Sequence, residues 1–218
     1  MISKRLTTIC NFIIGDHVLD IGTDHGLIPI FLLQNNLVNR VTATELNDGP
    51  LEIAKKSFKK NHLDEQINLI KADGFKTLNP DEFSTIIIAG MGGTLISQII
   101  NNDLYSGRYV LHPTNNFRKL RETLKTLKFT IIHEQLVVEN KINNLIIVAE
   151  KTIKIQHLNE YNLVVGPKLK FDLSQEVTNL YKTSKDYYLD LYNKSSNKDY
   201  KKKSNYFEKV LKWRNKKS

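Results

Sequence analysis

The segment Val18-Leu-Asp-Ile-Gly-Thr-Asp-His-Gly-Leu-Ile-Pro29 constrains the fold more than any other stretch of the chain. A short apolar strand (Val18, Leu19, Ile21) ends on Gly22. Gly26 follows, and the spacing of Leu27, Ile30, Phe31 and Leu33 then becomes helical. Strand, glycine turn and helix in this order lay a ligand across the end of the first strand of an α/β sheet. Gly22 permits a tight turn and close backbone approach, and the helix N-terminus points amide donors at the ligand. Glu45 closes the next strand, Arg40–Glu45, where a carboxylate can accept both hydroxyls of a ribose. Each charge-assisted bond of that kind contributes roughly 1.5–3 kcal/mol.

The rest of residues 1–165 alternates in the same way. Ser3 caps a helix expected over Lys4–Ile14. Strands are expected at His17–Ile21, Arg40–Glu45, Gln66–Lys71, Thr85–Ala89, Tyr109–His112, Phe129–Val138 and Asn144–Lys151. Helices are expected at Leu27–Asn35, Pro50–Asn61, Gly93–Asn102 and Phe117–Leu127. The alternation implies a parallel sheet with helices on both faces. The last two strands have no helix between them; joined by Glu139–Asn143, they should form an antiparallel hairpin at one edge. Gly166-Pro167 ends this α/β domain. Beyond it Leu173, Val177, Leu180, Tyr187 and Leu191 follow a heptad-like spacing, Ser195-Ser-Asn197 breaks it, and a second helix carries Phe207, Val210, Leu211 and Arg214 near its seam. Residues 166–218 therefore read as a helical hairpin, a small antiparallel coiled coil.

The glycine loop is not a dinucleotide fingerprint, because Asp24 stands where a pyrophosphate site wants a small neutral residue. A carboxylate repels pyrophosphate and attracts the ammonium and sulfonium of S-adenosylmethionine (SAM). Sign of charge thus favours SAM over a nicotinamide dinucleotide, and the edge hairpin points the same way. Asp73, after the third strand, suits an adenine amino group or a plain Asp-Gly turn. Ile86-Ile-Ile-Ala-Gly-Met-Gly-Gly93 ends the fourth strand and leaves backbone exposed where an acceptor approaches. Enzymes that methylate exocyclic amines often carry an Asp/Asn-Pro-Pro-aromatic tetrapeptide here, and this chain does not. Met91 fits cofactor contact or ordinary packing. His112, Asn115 and Asn116 offer hydrogen-bond groups to a base edge, or a cap to the helix from Phe117. Asp24 and His25 sit where a general base would stand.

Bulk properties narrow the partners. Lys and Arg total 32 against 23 acidic residues, a net charge of +9. From Lys194 to Ser218 ten basic residues face only Asp199 and Glu208, so nearly all the surplus lies in this tail, interleaved with Tyr200, Tyr206, Phe207 and Trp213. Basic residues among aromatics suit a polyanion, RNA above all. Lys4, Arg5, Lys201, Lys202, Lys203 and Arg214 are the expected phosphate contacts. No apolar run nears the ~20 residues of a membrane span. A single cysteine, Cys10, excludes an internal disulfide framework and fits a reducing cytoplasm. No metal-ligand spacing joins it to the six histidines, so no metal is expected.

These motifs together resemble the bacterial tRNA (adenine-22-N1)-methyltransferases. The matching pieces are Ser3-Lys-Arg-Leu6, Asp20–Pro29, Glu45-Leu-Asn-Asp-Gly-Pro50, Asp73-Gly74, Ile88-Ala-Gly-Met-Gly-Gly93, Pro113 with its asparagines, Arg121, Glu134, Glu139 and Gly166-Pro167. Two places depart from the family pattern: Thr114 separates Pro113 from the asparagines, and Asn144-Leu145 replace a Tyr-Glu pair in the final hairpin. The resemblance implies a class I, Rossmann-like SAM-dependent domain with a C-terminal coiled-coil element. It further implies an enzyme that modifies one adenine in the tRNA D-arm, and a monomeric, cytoplasmic protein is expected. Cofactor contacts then fall to Asp20, Gly22, Asp24, Gly26, Glu45, Leu46, Asp73, Gly74 and Gly90. Asp24, His25, Met91 and Asn115 surround the reacting atoms.

Overall fold

The computed structural model describes residues 3–76, 78–101 and 105–217. The expected helix end at Asn102 and the chain ends at Met1 and Ser218 lie outside these residues. Five strands run parallel: β1 (His17–Ile21), β2 (Arg40–Glu45), β3 (Ile67–Lys71), β4 (Thr85–Met91) and β5 (Arg108–Pro113). β6 (Phe129–Glu139) and β7 (Ile142–Lys151) form the expected antiparallel hairpin. β7 inserts beside β5, so the sheet order is β3-β2-β1-β4-β5-β7-β6. The hairpin turn is tighter than the sequence suggested. Glu139 pairs with Ile142, leaving Asn140 and Lys141, both left-handed (φ +50° and +65°), as a two-residue turn.

Strand alternation sorts the apolar residues into two layers. Leu19, Ile21, Ile86, Ile88, Leu111 and Ile147 face α4 (Gly93–Ile100) and α5 (Phe117–Thr126). Val18, Val41, Ile87, Val110, Ile146 and Val148 face α1 (Lys4–Cys10), α2 (Leu27–Gln34) and α3 (Asp48–Lys60). α1 stops four residues short of the expected Ile14. Its continuation is drawn across the sheet's starting edge: Ile14 N–H donates to Thr85 Oγ1 (3.0 Å), and Phe12 C=O accepts from Arg108 Nη1 (2.9 Å).

The sequence did not signal α6 (Glu160–Val165), which the Asn159 side chain caps. α7 (Gln175–Ser195) and α8 (Lys198–Arg214) form the helical hairpin, with Ser196 left-handed at the bend. Its seam differs from the heptad reading. Leu173 and Tyr187 are exposed, while Tyr181 and Tyr188 turn inward and the Tyr188 ring stacks on Phe207 (6.0 Å, 9° between planes). Val177, Tyr181, Phe207 and Val210 pack into the first core layer, and the Tyr181 hydroxyl donates to Val165 C=O at 2.8 Å.

Candidate active site

In an open α/β sheet the ligand crevice lies beyond the strand carboxyl ends, where the strand order reverses. Here that point lies between β1 and β4. A cleft of about 420 Å³ opens there, lined by Asp20, Gly22, Thr23, Asp24, His25, Glu45, Gly90 and Met91, with Arg5 and Leu6 reaching over from α1. Gly22 has φ +73°, and a Cβ on it would lie 2.1 Å from Met91 Cε. The missing side chain therefore lets Met91 lie across the loop. Gly26 precedes α2 beneath Phe58, no side chain caps that helix, and its first residues Leu27 and Ile28 line the cleft.

The acids differ in setting. Glu45 is buried; its Oε1 accepts from the amides of Leu46 (2.9 Å) and Asn47 (3.1 Å), and Oε2 from Asp24 N–H at 3.4 Å. An ionised carboxylate has about four acceptor sites, so capacity remains on the cleft side. Asp20 is only 3% exposed. Burial, reinforced by the Glu45 charge, pushes its carboxyl up to about 7. Its neutral form therefore favours folding at low pH, and that contribution is lost as pH rises through about 7. A cation entering the cleft favours the ionised form instead. Asp24 is left-handed (φ +53°) and exposed at the lip, its Oδ2 3.6 Å from His25 Nε2.

Asp73 and Gly74 line a neighbouring depression of about 420 Å³ with Leu95 and Ile99 of α4, and Asp73 is ion-paired with Lys76. Leu46, half exposed, projects directly after Glu45. Three acids, a Cβ-free cradle and an apolar-walled depression with a carboxylate at its edge fit the two cations, ribose and adenine of SAM.

Other expected contacts are placed differently. Arg214 is 2% exposed and spends its guanidinium on Asp172 C=O, Ser174 C=O (2.9 Å) and Thr178 Oγ1 (2.7 Å), so it anchors the base of the hairpin instead of reaching RNA. Lys203 pairs with Asp199 at 2.7 Å and lies against the Tyr188 and Tyr200 rings, which withdraws it too. Lys4, Lys201 and Lys202 stay exposed. Arg5 faces the cleft. Asn116 begins α5 in the left-handed region and donates to Thr94 Oγ1 (3.1 Å), whereas the exposed Asn115 amide stands beside Gly92. His112 is not free for a base edge, since both ring nitrogens are engaged inside the protein. The sequence signal for that engagement was a polar residue ending an apolar strand, with Asn144 similarly placed on β7.

This sheet order and this acid-flanked glycine cleft define a class I SAM-dependent methyltransferase. Within that class the chain belongs to the TrmK family, tRNA (adenine(22)-N(1))-methyltransferase, whose family model matches residues 18–216. The Bacillus subtilis tRNA (adenine(22)-N(1))-methyltransferase is 33% identical over 154 residues, which cover 68% of this chain and 65% of that protein. Sp1610 of Streptococcus pneumoniae, solved with SAM, is 28% identical with a TM-score of 0.88 over 97% of this chain and 100% of that one. TrmK of M. capricolum, solved with S-adenosyl-homocysteine, is 26% identical with a TM-score of 0.84 over 99% of this chain and 98% of that one.

Proposed function

We infer that this chain transfers the methyl group of SAM to N1 of adenine 22 in the tRNA D-arm. The observation that carries this is the acceptor side of the cleft. Gly90-Met91-Gly92-Gly93 offers backbone and a thioether where an exocyclic-amine enzyme would present acceptors for amine protons. A ring nitrogen has an in-plane lone pair and no proton to remove, so it needs positioning, not a strong base. The names of the relatives support the same substrate.

When bound, SAM supplies a methyl group on a sulfonium, an electrophile that needs neither metal nor redox partner. The protein's part is alignment. Glu45 holds the ribose, Asp20 and Asp24 face the cationic groups, Asp73 takes the adenine amino group, and Met91 and Asn115 flank the acceptor ring. N1 lies on the pairing edge, so the target base must leave its stack, at a cost of a few kcal/mol. Methylation leaves a positive charge on the ring, and the Asp24 carboxylate at the lip stabilises it. Asn tolerates the left-handed backbone at this position. Asp24→Asn should therefore keep the wild-type melting temperature and lose about tenfold or more in single-turnover rate; an unchanged rate rules the carboxylate out.

RNA phosphates meet the exposed Lys4 of α1 and the exposed lysines of α8. Replacing Lys201 and Lys202 with alanine should weaken tRNA binding, lower the salt slope of log K by about two, and leave SAM binding unchanged. Filter binding across a salt series reads this directly. The enzyme acts as a monomer in this reading, which size-exclusion chromatography with light scattering tests, and its tRNA substrate places it in the cytoplasm. The function itself is tested with unmodified tRNA transcript and methyl-labelled SAM, followed by mass spectrometry of the nucleosides. N1-methyladenosine confined to position 22 is expected. Label at another position would overturn the substrate, and SAM binding without any transfer would overturn the activity.

A further inference from the structure

The floor of the cleft is set by a hydrogen-bond relay whose direction is fixed at every step. Asn144 Nδ2 donates to Val137 C=O (3.2 Å) and Ile142 C=O (3.0 Å). Its amide orientation is thereby determined, and Oδ1 faces His112 Nε2 at 3.2 Å. Oδ1 only accepts, so Nε2 carries the proton. Nδ1 is then a bare acceptor, and it receives the Gly90 N–H at 3.1 Å, with Arg5 Nη1 at 3.4 Å. The need for that acceptor lies in the strand. The β4–β5 register runs Ala89↔His112 and then Met91↔Pro113, so Gly90 (φ +80°) is a bulge between registered pairs. Its amide goes to the His112 ring and not to a strand carbonyl.

We propose that His112 is a positioning residue of the methyl-transfer site, its Nε2–H tautomer imposed by Asn144 so that Nδ1 holds the Gly90 bulge and thus Met91 across Gly22. This rests on the function inferred above and deepens it. A proton on Nδ1 would remove the acceptor and set an imidazolium beside the Arg5 guanidinium. Burial, and then Arg5, accordingly hold the His112 ring down at about 4, well below an ordinary histidine. The surroundings are otherwise sparsely charged. β4 and α4 contain no titratable side chain, β7 presents the neutral Asn144, α1 contributes Arg5 with the exposed Lys4 at its start, and Glu150 at the far end of β7 is paired with Arg108. Asp20 titrates in the same cleft, so the ring itself must be watched.

The test uses the full-length protein. Nitrogen-15 NMR follows the His112 ring and the Gly90 amide against pH, beside single-turnover methylation of tRNA at saturating SAM. Wild type should show the Nε2–H tautomer down to about pH 5. Asn144→Asp places a carboxylate on Nε2–H and should return the ring toward about 6.5, carrying the acid limb of the methylation rate with it. His112→Asn, which puts an amide oxygen where Nδ1 was and has no proton to gain, should retain activity and flatten that limb. His112→Leu should displace the Gly90 amide signal and lower the rate about tenfold or more at every pH. An unmoved ring titration in Asn144→Asp, or wild-type turnover in His112→Leu, overturns the proposal. Expected ring and amide responses in a wild-type protein that binds SAM but never methylates tRNA would support the relay and overturn the functional reading instead.

Discussion

Glu134→Ala is expected to destabilise the protein by about 3–5 kcal/mol, the range for breaking a buried ion pair from one side. At about 2–4 °C per kcal/mol for a chain of this size, the melting temperature should fall by roughly 10 °C. The magnitude follows from what the carboxylate does. Arg121 is 2% exposed and Glu134 3%, and Arg121 Nε donates to Glu134 Oε1 at 2.7 Å. Arg121 Nη1 also donates to the carbonyls of Leu163 (3.0 Å) and Val164 (3.2 Å). Glu134 Oε2 accepts from the amides of Lys168 (2.8 Å) and Leu169 (3.0 Å). Thus one buried pair ties α5 and β6 to both sides of Gly166, the segment from which the helical hairpin departs. Alanine leaves the buried guanidinium with only the two carbonyls and no counter-charge, and the amides of Lys168 and Leu169 without their acceptor. Removing both charges as Arg121→Met with Glu134→Leu should restore much of the loss, since paired buried charges seldom outperform apolar packing. Urea unfolding followed by circular dichroism measures both. A cost under about 1 kcal/mol for Glu134→Ala would mean that water reaches the site and replaces the carboxylate.

The sheet domain was legible in the sequence because its signals are local. β1 and β2 begin and end where apolar patterning and glycine placed them, and the β6–β7 hairpin was marked by the absence of an intervening helix. What failed was decided by tertiary contacts. Arg214 reads both as a seam position of the second helix and as a cation of the basic tail, and the carbonyls of residues 172 and 174 decide for the seam. Lys203 is drawn off by an aspartate one helical turn away, a pairing that spacing alone permits but does not require. The seam of α7 includes Tyr181 and Tyr188, which pack on Phe207 of α8 and the core of the sheet domain, a set of contacts no heptad count reveals. Within the site, the acids at successive strand ends were evident from position alone. The engagement of His112 with Asn144 depended on β7 lying beside β5, 32 residues away in sequence.

Glu45→Gln should weaken SAM binding about 10–100-fold, the equivalent of losing one charge-assisted hydrogen bond at roughly 1.5–3 kcal/mol. An amide keeps one oxygen. Either that oxygen stays with the Leu46 and Asn47 amides and an NH2 meets the ribose, or the reverse. The same substitution carries a second, independent signature through Asp20. In wild type Asp20 is half protonated near pH 7, held there by burial and by the Glu45 charge. A cation binds the ionised form better, so SAM uptake should release a proton, and affinity should fall with acidification below about pH 7. Neutralising Glu45 removes the smaller of the two influences that raise Asp20 and leaves burial, the larger, in place. The pH at which affinity begins to fall should then move downward even as affinity overall drops. Asp20→Asn should abolish the pH dependence altogether. Calorimetric titration with SAM across pH 5.5 to 8.5 in two buffers of different ionisation enthalpy gives affinity and proton release together. If Glu45→Gln lowered affinity with the pH dependence unmoved, Glu45 would hold the ribose without setting the charge state of Asp20. If wild-type affinity were flat from pH 5.5 to 8.5, Asp20 would be ionised throughout, and solvent entering the cleft would have to replace burial as the dominant influence on it.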